Sequence, residues 1–266
     1  MCDGAATRGI NAAARKWIPL AVVIVTAYNY GMSDDGWHGF DFAVPLIPLP
    51  NLVMFPRAVQ FLHIFEPRYK TMMTDLLAQD DGRRFLATAL LTSNYEAKYY
   101  TNHADIHEIV CLTEIVNYER QPDGCFNLFV LGKDRARVRS EDRSGPYRQA
   151  ELDVLENTVP IDEPTTNDQQ RATLAEMLRR SPYDTHAEAE RCLEWINSDL
   201  PFGDVLDLLS FYLLPHEEVE LRQNLLGEPH AHRRADLLVG HLSTLGQVIE
   251  VRQRRHQSWP PDPGVN

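Results

Sequence analysis

The stretch VPLIPLPNLVMFPRAVQFLHIFEPRYKTMM, residues 44–73, changes its hydrophobic pattern twice within a short segment. Its first part mixes prolines with large apolar residues, which predicts a strand from Val44 to Leu49 and a turn at Pro50 and Asn51. A second extended run follows from Phe61 to Phe65. Because proline cannot donate a hydrogen bond to a neighbouring strand, we expect these strands at the edges and bends of a sheet.

At Glu66 and Pro67 the pattern becomes helical, and proline is favoured at the first position of a helix. The apolar residues that follow recur with the spacing of one helical face: Tyr69, Met72, Met73, Leu76 and Leu77. This spacing predicts a helix that ends near Gly82.

Short strands dominate the next part of the chain. Apolar and alternating runs predict strands at residues 83–91, 107–120, 125–134, 135–141 and 147–155. The segment from Gln121 to Gly124 predicts a hairpin turn, since glycine readily adopts the positive φ that such turns need. Six or more short strands with one early helix predict a small closed or nearly closed barrel.

After Pro160 the pattern is helical. Apolar residues recur at helical spacing in residues 174–178, 189–196, 205–212 and 238–249, and Pro215 begins a further helix that Gly227 can end. The sequence therefore predicts an α+β protein, in which a barrel at residues 44–158 precedes a helical bundle at residues 165–255.

The two ends of the chain are expected to lie outside these domains. The proline-containing tail, residues 256–266, is expected to be disordered. Residues 1–43 form an N-terminal extension whose apolar run, Trp17 to Ala27, is too short to span a bilayer as a helix. That run is similar to an export signal, but no small-residue cleavage site follows it. The interpretation that fits better is that the extension is disordered or untranslated, with the protein starting at Met32; an export signal and an ordered structural segment are the alternatives.

The composition is that of a globular protein with enough apolar residues for one large domain or two small ones. The 26 Lys and Arg against 38 Asp and Glu give a formal net charge of −12, which disfavours nucleic acid and anionic membranes as partners. None of the four cysteines shows C-x-x-C spacing, which argues against a zinc site or a disulfide framework. We therefore expect a cytoplasmic protein, with export as the alternative if residues 1–31 are a genuine signal.

Several segments resemble, in the same order, the N-terminal domain of Lon protease. They are PLIPLPNLVMFP, FLHIFEPRYKTMM, FLATALL, DGCFNLFVLGKDRARV, YRQAELDVLE and LPFGDVLDLLSFYLLPHEEVELRQNLL, and the resemblance extends from about Val44 to about Leu245. It implies a PUA-like pseudo-β-barrel followed by a C-terminal helical bundle. It also implies a module for substrate recognition, since Lon carries its ATPase and protease in later domains.

No segment of the sequence has the pattern of an ATPase or a protease. The nearest approach to a P-loop, at Gly132 and Lys133, has Asn127 in place of the first glycine and Asp134 in place of the magnesium-binding Ser or Thr. Ser93 lacks the glycine-flanked turn of a nucleophile and does not form a convincing dyad with Lys133. We therefore expect no catalytic residue, no metal and no cofactor.

Large aromatic and apolar residues form the first candidate binding surface. The opening stretch holds more of them than one edge of a small barrel hides easily, and a nearby polar loop carries three tyrosines. Packing in the core or within the loop is the alternative for each. The candidate rim of a peptide-binding surface comprises Met54, Phe55, Phe61, Phe65, Tyr69, Tyr95, Tyr99 and Tyr100.

A basic strand forms the second candidate surface. Lys133, Arg135, Arg137 and Arg139 alternate along the chain, which would place four cations on one face of a strand. Such a face could bind RNA or an acidic peptide, and a solvated outer face is the alternative, which the acidic charge of the whole chain favours.

We therefore expect a non-catalytic protein-binding module that resembles the substrate-recognition domain of Lon and engages unfolded or extended protein segments. An RNA-binding PUA-like module is the alternative, and a hydrolase in its own right is a third hypothesis. The sequence leaves the oligomeric state open.

Overall fold

The computed structural model describes residues 43–79, 84–155, 164–180 and 182–257. The expected extension at residues 1–43, with the Trp17 to Ala27 run and Met32, and the expected tail at 256–266 lie outside the described residues except at their inner ends. The chain divides after Leu155 into two compact units, each described by itself below. Among the described residues, every strand lies in the first unit and the regular elements of the second are helices, which confirms the predicted α+β class.

Six strands and one α-helix make up the described part of the first unit. The strands are β1 (Val44–Leu49), β2 (Val59–Ile64), β3 (Phe85–Leu90), β4 (Ile109–Arg120), β5 (Phe126–Asp142) and β6 (Arg148–Val154). The helix, α1 (Pro67–Leu77), lies between β2 and β3 in the chain. β5 is one strand where the sequence predicted two, because a bulge at Lys133 bends the strand without ending it.

Five of these strands pair in a closed circuit. β1 pairs in parallel with β3 and antiparallel with β6. β4 joins β3 to β5, and the second half of β5 pairs with β6. The first half of β5 pairs with β2, so β2 is the one strand of the described sheet that lies outside the circuit.

Side chains of contrasting size fill the interior of this unit. Ala87, Ala89, Ala136 and Ala150 are buried in one cluster with Val44, Leu46, Phe85, Val110, Leu112 and Leu152. Interior positions of small barrels often combine small and large side chains, because small ones leave the room that large ones on facing strands fill. All six residues of β3 are buried, as expected for a strand that is covered on both faces.

The proline-containing loop between β1 and β2 folds closely against β5. Arg57 adopts a positive φ of 64° and donates its backbone N–H to the carbonyl of Gly132, at 2.8 Å. Gly132 in turn donates to the carbonyl of Ala58, at 2.9 Å. A Cβ atom at position 132 would lie 1.9 Å from the carbonyl oxygen of Phe55, so only glycine fits there.

Helix α1 begins at Pro67, as the sequence predicts, and ends at Leu77, before the predicted end near Gly82. Tyr69, Met72, Met73 and Leu76 form its buried face. Near its C-terminal end, Asp75 accepts a hydrogen bond of 3.0 Å from the hydroxyl of Tyr147, next to β6. This contact fixes the helix against the strands.

The hairpin between β4 and β5 has the predicted glycine turn. Gly124 has a φ of +79° and donates its N–H to the carbonyl of Gln121. The carboxylate of Asp123 accepts the N–H of Cys125 at 2.9 Å, an interaction typical of tight turns.

The second unit contains five α-helices among the described residues: α2 (Pro164–Leu178), α3 (Ala189–Ile196), α4 (Phe202–Tyr212), α5 (Val219–Gly227) and α6 (Ala231–Gln257). α4 is buried along most of its length, and Asp207 on it forms a buried ion pair with Arg234 of α6. Across the described residues, no helix combines the length and the apolar character that crossing a lipid bilayer requires.

Candidate functional site

The eight candidate rim residues fall into a buried group and an exposed group. Met54, Phe55 and Tyr69 are only 1%, 0% and 5% exposed, so the prediction that they belong to a surface rim is wrong. They are buried because the loop before β2 folds onto Gly132 and because α1 packs through its apolar face. The residues that retain exposed surface are Phe61, Phe65, Tyr95, Tyr99 and Tyr100.

Exposed aromatic side chains extend along β2 and just beyond it. Phe61, His63 and Phe65 alternate along the chain and therefore lie on one side of the sheet. Their partners on β5 are Phe129, opposite Phe61, and Asn127, opposite His63. We call these five residues the β2 face.

Contacts within the β2 face hold its rings in place. The rings of Phe61 and Phe129 meet edge to face with centroids 5.5 Å apart. Nδ1 of His63 lies 2.7 Å from the side-chain oxygen of Asn127, and its ring stacks on Phe65 at a centroid distance of 6.0 Å. Phe65 is nevertheless 59% exposed, so a large apolar ring is presented to solvent on an ordered support.

The second exposed group lies on the loop between β3 and β4, residues 92–105, which we call the tyrosine loop. Tyr99 packs between Tyr95 and Tyr100, with ring centroids 5.8 Å and 5.0 Å away. Tyr100 is 83% exposed. The loop therefore presents an aromatic cluster with an exposed outer ring.

Arg68, in the first turn of α1, connects the tyrosine loop to the end of β2. Its guanidinium donates to the carbonyl of Thr101 at 2.8 Å and to the carbonyl of Tyr99 at 2.9 Å. A third bond, from Nε, reaches the carboxylate of Glu66 at 3.0 Å. Since Phe65 precedes Glu66 in the chain, the two exposed aromatic groups lie near the same end of α1.

Charged groups accompany the aromatic rings: the Glu66–Arg68 ion pair lies at the start of α1, and the tyrosine loop carries a second ion pair between Lys98 and Asp105. Burial raises the pKa of the Tyr99 hydroxyl, the charge of Glu66 raises it further, and Arg68 opposes both. Burial likewise raises the pKa of Tyr69 far above its usual range. Both hydroxyls therefore stay protonated, and the surface suits apolar groups and hydrogen-bonding partners.

The candidate basic strand does not present four cations on one face, and that prediction is wrong. The bulge places Lys133 out of the alternation of β5, and Arg135 is only 2% exposed. The remaining cations are paired with carboxylates. Lys133 lies 3.1 Å from Glu114, Arg137 lies 3.1 Å from Glu108, and Arg139 lies 3.4 Å from both Glu151 and Asp153.

Four residues of this surface were not predicted from the sequence: His63, Arg68, Asn127 and Phe129. The first two lie in the segment HIFEPRY, where they are polar residues beside an aromatic run. The signal for Asn127 and Phe129 was the alternation in FNLFV, which places them opposite to Phe126, Leu128 and Val130. Their contact with β2 depends on strand pairing, which the alternation alone does not give.

The described residues contain no group of three or more His, Cys, Asp and Glu side chains that could hold a metal ion.

The family model that describes the ATP-dependent protease La (LON) substrate-binding domain matches residues 43–245. Curated relatives include Lon protease 2 of Syntrophobacter fumaroxidans, 23% identical over 79% of this chain, and Lon protease of Haemophilus influenzae, 21% identical over 79% of this chain. In both cases the match spans 25% of the relative's length.

Two solved structures share the fold. The N-terminal domain of the Mycobacterium avium complex Lon protease aligns with a TM-score of 0.57 and 17% identity, over 76% of this chain and 98% of that one. The Lon N-terminal domain protein from Xanthomonas campestris aligns with a TM-score of 0.53 and 22% identity, over 75% and 98% of the two chains. The match of the family model over most of the chain and the shared fold lead to one conclusion: the chain belongs to the LON substrate-binding domain family.

Proposed function

We propose that this chain is a non-catalytic module that binds unfolded or extended segments of other proteins. The observation that carries the proposal is the β2 face, where Phe65 is 59% exposed just after the end of β2, beside further aromatic rings. Rigid aromatic side chains provide large contact areas at low entropic cost, which makes them frequent anchors at protein interfaces. The tyrosine loop extends the same surface.

We further propose that the first unit is a PUA-like pseudo-β-barrel and the second a helical bundle. The closed circuit of five strands supports the first assignment. Within the second unit, contacts of α2 and α4 with α6, and of α3 with α4, support the other.

The cytoplasm is the compartment that we propose for this module. Cys111, Cys125 and Cys192 are free and buried, as expected for thiols in a reducing compartment. Burial raises the pKa of the Cys192 thiol to about 12, so this thiol stays protonated and unreactive.

RNA is not the partner that we propose, because the exposed cations of β5 are paired with carboxylates and Arg135 is buried. Binding to phosphates would have to break these ion pairs in a chain of net charge −12.

The proposal is tested by measuring thermal stability and affinity for an unfolded protein, reduced casein, in the same variants. We expect Phe65→Ser and Tyr100→Ser to melt close to wild type, because both rings are exposed, and each to weaken binding by about 1–2 kcal/mol. Val248→Ser, at an exposed apolar residue of α6, is the matched control and should bind like wild type. Equal binding by all three variants would reject the surface.

The non-catalytic part of the proposal has its own test. The purified protein should neither hydrolyse ATP nor cleave casein. An ATPase or protease activity that copurifies at constant specific activity through several columns would contradict it.

A further inference from the structure

The hydrogen bonds between β2 and β5 show which backbone groups of β2 point outward. Gly132 donates to the carbonyl of Ala58, so these two residues form a hydrogen-bonded pair of the antiparallel ladder. Such pairs alternate with non-bonded ones. The backbone groups of Gln60, Leu62 and Ile64 therefore face β5, in the observed register. Those of Phe61 and His63 point away from it.

The outward edge of β2 has no strand beside it in the described part of the protein. β6 closes onto β5, so β2 alone ends the sheet with a neighbour on one side only. Along the described residues, one contact reaches these outward groups, the bond from the Gln60 side-chain amide to the carbonyl of Phe61, at 2.8 Å. A donor of this kind satisfies an edge carbonyl until another backbone replaces it.

The ladder of outward groups determines what can bind there. Spaced N–H and C=O groups along a strand edge are complementary to another extended backbone, whereas a helix has already used its own backbone groups. The β2 face borders this edge, with Phe61 and Phe65 on the same side of the strand. An incoming strand would place alternate side chains next to these rings.

We propose that an extended segment of a client polypeptide binds to the free edge of β2 as an additional strand. The inference rests on the proposed function and specifies how that function is carried out. The N–H groups of Phe61 and His63 donate to carbonyls of the client, and their carbonyls accept its N–H groups. Apolar side chains at alternate client positions pack against Phe61 and Phe65. Clients are thus recognised by extended conformation and alternating apolar character.

Two substitutions at one position separate the backbone from the side chain. His63→Pro removes the outward N–H and leaves the bonds of Leu62 and Ile64 to β5, since proline is tolerated on strand edges where its nitrogen faces away from the sheet. His63→Ala removes the same imidazole but keeps the N–H. Using the full chain and reduced casein as the probe, we expect His63→Pro to bind about tenfold more weakly than His63→Ala.

A second measurement uses the wild-type protein alone. Amide hydrogen exchange should slow at Phe61 and His63 when reduced casein is added, because these N–H groups become hydrogen-bonded. This result decides the question even if His63→Pro fails to fold.

The outcomes separate the two proposals. If wild type does not bind casein, the proposed function fails. If wild type binds but the two His63 variants bind equally and exchange at Phe61 and His63 is unchanged, the client occupies another surface and the strand-addition mode alone is overturned. If exchange at these amides slows as the protein concentration rises, without casein, the edge pairs with a second copy of the chain. That result also overturns the strand-addition mode.

Discussion

Gly132 lies where the loop between β1 and β2 packs closely against β5. A Cβ atom there would lie 1.9 Å from the carbonyl oxygen of Phe55, and a backbone atom cannot move aside as the end of a side chain can. We expect Gly132→Ala to lower the free energy of unfolding by about 3 kcal/mol, at the upper end of the usual cost of overpacking. Urea denaturation measures it.

Gly240 provides the matched control, because nothing lies within 4 Å of the position that its Cβ would occupy on α6. Gly240→Ala should raise the free energy of unfolding by about 0.5–1 kcal/mol through helix propensity. If both substitutions changed the free energy of unfolding by the same amount, a Cβ atom at position 132 would be tolerated beside Phe55, which would contradict the prediction.

His216 makes the stability of the second unit depend on pH. Burial lowers the pKa of its imidazole, and the nearby charge of Arg222 lowers it further, while Glu217 opposes. Nδ1 of His216 lies 3.3 Å from the guanidinium of Arg222. The unfolded chain therefore takes up a proton more readily than the folded one, so stability present above pH 6.5 is lost as pH falls below it.

We expect His216→Gln to make the loss of stability at low pH smaller, because glutamine retains a polar group near Arg222 but does not titrate. The free energy of unfolding of wild type should fall more than that of the variant between pH 7 and about 5.5. Carboxyl groups with a lowered pKa, such as Glu141, lose their contribution to stability only when the pH falls below the ordinary glutamate pKa of 4.5. This loss occurs in both proteins. Parallel pH profiles would contradict the assignment.

For individual residues, the sequence shows which side chains are apolar, but it does not show which of them the fold buries. Met54 and Phe55 are buried because a loop folds back on a glycine that lies far along the chain, a contact that no local pattern encodes. Arg135 is buried because one extra residue changes the alternation of a strand. The exposure of Phe65, by contrast, follows from its position at a strand end.

Among the elements, the tyrosine loop depends on Arg68. The guanidinium forms bonds to the carbonyls of Tyr99 and Thr101 that a single ammonium group cannot make in the same geometry. We expect Arg68→Lys to increase the hydrogen-exchange rate of the loop about tenfold, with a small change in melting temperature. Thr74→Ser, on an exposed position of α1, is the control. Unchanged exchange in the loop would show that it is held by other contacts.

Elements with a strong local signal could be predicted from the sequence, but the pairing of the strands could not. Pro67 and the repeat of apolar residues after it predicted α1. The glycine turn predicted the hairpin between β4 and β5. The parallel pairing of β1 with β3 and the antiparallel pairing of β1 with β6 join segments far apart in the chain. For the same reason the free edge of β2 becomes visible only when the pairings are known.

At the scale of the whole molecule, the net charge of −12 should influence which unfolded segments bind fastest. For two peptides with the same alternating apolar residues, the one with lysine at its polar positions should associate several-fold faster at low salt than the one with glutamate. The difference should largely disappear near 0.5 M salt, where charges are screened within a few ångströms. Stopped-flow fluorescence measures both rates, and a preference for the acidic peptide would contradict the expectation.

The closed circuit of strands also sets an order of events during synthesis. β1 pairs with β6, so the circuit cannot close until about 100 further residues have been added, which takes a ribosome roughly 5 to 20 seconds. Throughout that time the apolar residues of β1 have at most β3 as a strand partner. The nascent chain is thus itself an unfolded segment with an exposed apolar strand, and a molecular chaperone that binds near the ribosome exit would find β1 accessible until β6 emerges.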